Sequence, residues 1–112
     1  MEIKKFLLIF ILCFFITIQK PFADEAKMIK GLEIFNESAG CAACHILKAA
    51  GSEGNIGPNL DTVEGLNYAS VMDIVTHGLG VMPAFGEDEI LTKEQIDIVS
   101  FYVANSAGKL KN

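Results

Sequence analysis

Apolar positions fall into three helical stripes and one long run. From Glu25 to Glu37, Met28, Leu32 and Phe35 recur at i, i+4 and i+7 with Ile29 beside them, which predicts an amphipathic helix. Val71, Ile74 and Val75 share one face of a second predicted helix, Tyr68 to His77, and Gly78 follows where a glycine commonly ends a helix. The third stripe is the clearest. Thr92 and Gln95 have capping-box spacing, Ile96, Val99, Tyr102 and Val103 make the buried face, and Gly108 lies beyond the end. Gly51 to Pro58, and the segment carrying Gly78, Gly80, Pro83 and Gly86, read as loops. No stretch alternates strongly enough to predict a strand. The pattern is therefore all-α, with three main helices joined by long loops.

The long run, Phe6 to Ile18, is 13 residues, whereas crossing a bilayer takes roughly 20. Lys4 and Lys5 precede it, and Gln19, Lys20, Pro21 and the small residue Ala23 follow. This layout predicts a secretory signal peptide over residues 1–23, hence export to the periplasm. Pro21 is a poor residue two positions before a cleavage site, so an uncleaved anchor is the alternative, and it would confine membrane contact to this segment. Cys13 lies inside the run and would be lost with the peptide. The remaining domain, residues 24–112, is small enough that such domains often need a covalent or cofactor staple.

Charge narrows the partners. The full chain carries −5; without Lys4, Lys5, Lys20 and Glu2, six lysines face 13 acidic residues, a net charge of −7 with no arginine. So acidic a domain argues against nucleic acid or an anionic membrane, and favours a protein partner with a basic docking patch.

The chemistry concentrates at Cys41-Ala42-Ala43-Cys44-His45, a C-x-x-C-H run that is the attachment signal for c-type haem. Two thiols on one tight turn can each add to a haem vinyl group, and the next residue then brings an imidazole under the iron. Three other readings compete. A disulfide would leave His45 without a role, a thioredoxin-like C-x-x-C needs a βαβ setting, and a zinc site using His77 would have an unusual spacing. For the iron's other face the candidates are Met28, Met72, Met82 and His77. Met28 and Met72 lie on helical stripes and read as core, and His77 reads as a surface residue in a last helical turn. Met82 stands 37 residues beyond His45 in a glycine-flanked loop, its backbone restricted by Pro83.

With these motifs the chain resembles the class I cytochromes c, especially small bacterial monohaem members. The resemblance rests on Cys41 to His45, on Gly57-Pro58-Asn59-Leu60, and on Gly80-Val81-Met82-Pro83-Ala84-Phe85-Gly86. It implies that fold, one haem c held by two thioethers, and an axial Met82 in an M-P-x-F setting. It also implies that the Pro58 carbonyl accepts the Nδ1 proton of His45, and that Gly31, Phe35 and Tyr102 mark a close crossing of the terminal helices. The family often holds its haem propionates with Arg or Trp; this chain has neither, leaving Tyr68, Asn67 and Lys48 as candidates. The acidic run Glu87-Asp88-Glu89 is either a solvated segment before the third helix or a docking element.

The expected function is electron transfer without a small-molecule substrate, from a periplasmic dehydrogenase or quinol-oxidising complex to a terminal oxidase. One alternative is a cytochrome subunit of such a dehydrogenase. Others are a haem enzyme or gas sensor with an open distal site, and a haem-free disulfide domain.

Overall fold

Three α-helices carry the molecule: α1 (Gln19–Glu33), α2 (Tyr68–His77) and α3 (Lys93–Ser106). A computed structural model describes residues 2–8 and 19–110, of which residues 2–8 are also helical. Most of the predicted signal segment's apolar run, including Cys13, lies outside the described residues. Among the described residues no helix is long and apolar enough to cross a membrane.

Both later helices begin as their local chemistry dictates. Thr92 caps α3, its hydroxyl accepting from the Gln95 N–H while the Gln95 side chain accepts from the Thr92 N–H. Asn67 and Ser70 make the same reciprocal cap for α2, a box the sequence hid because serine replaces the usual Glu or Gln. Gly78 ends α2 at φ 74°, and its N–H bonds the Ile74 carbonyl. The first helix departs from expectation. Its described part runs from Gln19, ahead of the predicted Glu25, and Ala23, Glu25, Ala26 and Lys27 are strong helix formers. At its other end it widens into a π turn, Ile34–Ser38, closed by the Ala39 N–H on the Ile34 carbonyl at 2.9 Å. The wider turn accompanies burial of two consecutive residues, Ile34 and Phe35.

Two short antiparallel strands, β1 (Ile46–Leu47) and β2 (Ser52–Glu53), correct the expectation of no strand and of a loop throughout residues 51–58. At two residues each they are too short for alternation to register. Ser52 fastens them: its hydroxyl accepts from the Leu47 N–H at 2.9 Å and donates to the Leu47 carbonyl at 3.3 Å.

The core packs α3 against both other helices. Ile96, Val99, Tyr102 and Val103 meet Ile34 and Phe35 on one side and Val71 and Val75 on the other. α1 crosses α3 at Gly31, where an added methyl would overlap the Cβ of Tyr102. The Phe35 and Tyr102 rings lie beside this crossing, centroids 6.0 Å apart and tilted 58°. A polar tie reinforces it from outside: Asp97 of α3 pairs with Lys27 of α1 at 2.8 Å and accepts from the Tyr68 hydroxyl of α2.

Candidate functional site

Gly40, in the left-handed conformation at φ 66°, turns the chain into a 3₁₀ turn, Cys41–Ala43. The Cys41 carbonyl accepts from both the Cys44 and His45 N–H groups, at 3.1 and 2.9 Å, so the two thiols and the imidazole sit on one tight coil. Burial pushes the Cys41 thiol up to about 11, with the neighbouring Cys44 adding to the shift and a backbone hydrogen bond opposing it. Such a thiol stays protonated at neutral pH, unlike the thiolates of metal sites and C-x-x-C redox centres.

The Gly57-Pro58 segment closes over this turn. Gly57 donates its N–H to the Cys44 carbonyl at 2.7 Å, and the Pro58 carbonyl lies 2.8 Å from Nδ1 of His45. A carbonyl can only accept, so Nδ1 carries the proton and Nε2 keeps its lone pair. His45 is thereby fixed in the tautomer that ligates through Nε2.

Met82 arrives from a different part of the chain. Leu79 and Met82 bond each other's backbone at 3.3 and 3.0 Å around Gly80, whose φ is 60°. The buried Phe85 then anchors the loop in the core. His45 and Met82 both line a cavity of about 460 Å³, with Cys41, Cys44 and Pro58. The rest of its wall is hydrocarbon, from Phe35 at the end of α1, Val71 and Val75 of α2, and Val99 and Val103 of α3. Loop residues Ile56, Leu79 and Val81 complete it, and all three stand largely exposed at its edge.

The predicted site residues thus converge on one cavity, and the rivals to Met82 do not. His77 is exposed, its Nδ1 2.5 Å from Glu87 and its Nε2 3.7 Å from Asp73. Met28 and Met72 pack against the core. The three candidate propionate ligands are placed elsewhere: Asn67 caps α2, the Tyr68 hydroxyl donates to Asp97, and Lys48 does not line the cavity. Lys48 instead gives its backbone N–H to Asp61, whose other carboxylate oxygen accepts from Gly108, a tie across 47 residues absent from the sequence reading. The aliphatic wall from the loops was also missed, because Ile56, Leu79 and Val81 follow no period.

The chain is similar to several known proteins. Residues 26–103 match the family described as cytochrome c oxidase, cbb3-type, subunit III. A cytochrome c6 of Gloeothece citriformis (strain PCC 7424) is 33% identical over 112 residues, covering 96% of this chain and 94% of its own. The crystal structure of the c-type cytochrome SorU from Sinorhizobium meliloti superposes with a TM-score of 0.70 at 46% identity, covering 79% of this chain and 99% of that one. The chain belongs to the class I c-type cytochromes. A further relative is the cbb3-type cytochrome c oxidase subunit CcoP of Azospirillum sp. (strain B510), 39% identical over 98 residues. The match covers 73% of this cytochrome but only 31% of the subunit, so the chain spans about a third of that relative's length.

The cofactor of this cytochrome is haem c, bound covalently. The residues present fit it. An apolar cavity suits the macrocycle, two thiols on one tight turn suit thioether formation, and an imidazole with a free Nε2 and a thioether sulfur are both ligands of haem iron.

Proposed function

We propose that this cytochrome is a periplasmic one-electron carrier whose iron is held between His45 and Met82. Cys41 and Cys44 anchor the haem, and the Pro58 carbonyl orients the His45 ring. The observation that carries the reading is the convergence of an imidazole and a thioether, from chain positions far apart, on one largely apolar cavity that the two thiols also line. Haem supplies a metal that gains or loses one electron. His45 and Met82 would hold the iron, the hydrocarbon walls would exclude water, and Ile56, Leu79 and Val81 stand exposed at the edge where a partner can approach. A thioether favours ferrous iron, which sets the carrier on the oxidising side of a bis-imidazole site.

The test is Met82→Ala. Its midpoint potential should fall, and its ferrous form should bind carbon monoxide at the rate of an open haem, while His77→Ala stays six-coordinate and remains far slower than that. The opposite pattern would make His77 the ligand. Carbon monoxide binding to the unmodified ferrous protein at the rate of a pentacoordinate haem would favour a sensor or enzyme.

In the pathway we propose, electrons come from a periplasmic dehydrogenase or quinol-oxidising complex and go to a terminal oxidase. The relative that is itself a cbb3-type oxidase subunit supports the acceptor side of this reading. The charge of −7 carried by residues 24–112 supports a basic docking patch on the partner. Electron transfer with that partner should therefore slow as salt rises from low ionic strength, since screening acts within about 10 Å at 0.1 M. A rate indifferent to salt rejects the basic patch.

A further inference from the structure

The Met82 loop is closed at its base as well as at its tip. The N–H groups of Gly86 and Glu87 both donate to the Thr76 carbonyl, at 3.2 and 3.1 Å. One residue on, His77 Nδ1 meets the Glu87 carboxylate at 2.5 Å. Within the loop, Gly78 is pressed onto the Met82 segment: a methyl there would stand 2.7 Å from the Met82 carbonyl oxygen and 2.9 Å from the Ala84 nitrogen. Residues 76–87 are therefore a closed ring of chain carrying Met82, and the His77–Glu87 pair is a side-chain fastening across its base.

We propose that His77 and Glu87 are a positioning pair, whose ion pair fastens the Met82 loop so that loss of the imidazole proton loosens the hold of Met82 on the iron. This rests on the reading of Met82 as the sixth ligand. The charged groups facing the ring are Glu87 from the loop and Asp73 from the preceding turn of α2, 3.7 Å from Nε2. The Glu87 hydrogen bond chiefly, then the charges of Glu87 and Asp73, hold the His77 pKa above its ordinary value against the cost of desolvation. The sign follows. The fastening is complete below the ordinary value of 6.5 and is lost as pH rises through the raised folded value. The pair is exposed, so its effect is modest: about two- to fivefold in the fraction of loosened loop, as for other surface ion pairs.

The experiment uses the purified haem-loaded protein over about pH 5 to about pH 9, spanning the histidine range. Three quantities are followed. They are the sulfur-to-iron charge-transfer band of the ferric form, the rate of carbon monoxide binding to the ferrous form, and hydrogen exchange at the Gly86 and Glu87 amides corrected for intrinsic pH dependence. Through the His77 titration the gas-binding rate should rise about two- to fivefold, with both amides exchanging faster. His77→Gln and Glu87→Gln should give a flat profile at the loose value. His77→Lys, which keeps a cation opposite Glu87, should stay at the tight value throughout. The same step persisting in His77→Gln, or His77→Lys behaving like His77→Gln, overturns the proposal. A thioether band absent from the wild type at every pH instead overturns the Met82 reading, and this proposal with it.

Discussion

A Cβ on Gly57 would stand 2.5 Å from Cε1 and 2.8 Å from Nδ1 of His45, so the backbone lies flat against the imidazole where only hydrogen fits. That contact is what lets Pro58 reach Nδ1, and the two neighbours act on the ring as one unit. The resemblance pointed to the Pro58 carbonyl; the need for glycine before it appears only when the ring is in place. Gly57→Ala must turn the ring or lift the segment, and either motion breaks the bond from Nδ1 to the Pro58 carbonyl. On the ligation proposed above, the imidazole would then be a less basic ligand and give less support to ferric iron. Its midpoint potential should therefore rise, opposite in sign to Met82→Ala, with covalent haem content checked to be unchanged. A redox titration giving an unchanged or lower potential would refute this role for the Gly57-Pro58 contact.

Helices were the most legible elements, because their signals are local. The face of α3, Ile96, Val99, Tyr102 and Val103, is buried as its period requires, and both α2 and α3 end or begin at the glycine, threonine and glutamine that marked them. The loops were legible only through motif. Cys41 to His45, Pro58 and Met82 could be named from their order, but not the ties that bring them together. Asp61 joining Lys48 to Gly108, or Thr76 accepting from Gly86 and Glu87, depends on pairings that no periodicity encodes. The π turn at Ile34–Ser38 escaped for a similar reason: Phe35 continued the helical stripe, and nothing local marked that Ile34 beside it is buried as well. Met28 and Leu32 read correctly as an inward stripe, and they are half-buried rather than central because Gly31 draws α1 close along one narrow line.

At the scale of the whole molecule, the cavity of about 460 Å³ bears on how the chain is held together. Filling it takes its hydrocarbon walls out of water, worth about 25 cal/mol for each Å² of apolar surface covered. Domains are stable by only about 5–15 kcal/mol in total, and small ones sit at the lower end. A domain this small has little stability to spare for holding those apolar walls apart unfilled, so the haem-free chain is expected to lose this architecture. Losses should follow the walls. Val71 and Val75 give α2 to the cavity, whereas α1 and α3 also meet through Gly31, Phe35 and Tyr102, a crossing that needs no cofactor for its closest contact. A Cys41→Ser/Cys44→Ser chain prepared without haem should lose its cooperative thermal transition and much of its helical circular dichroism. In hydrogen exchange, amides of α2 should lose protection first and those of α1 and α3 near Gly31 and Tyr102 last. Cooperative unfolding with undiminished helical signal in the haem-free chain would show that the hydrocarbon walls close on themselves, and that the cofactor is held by the fold without holding it.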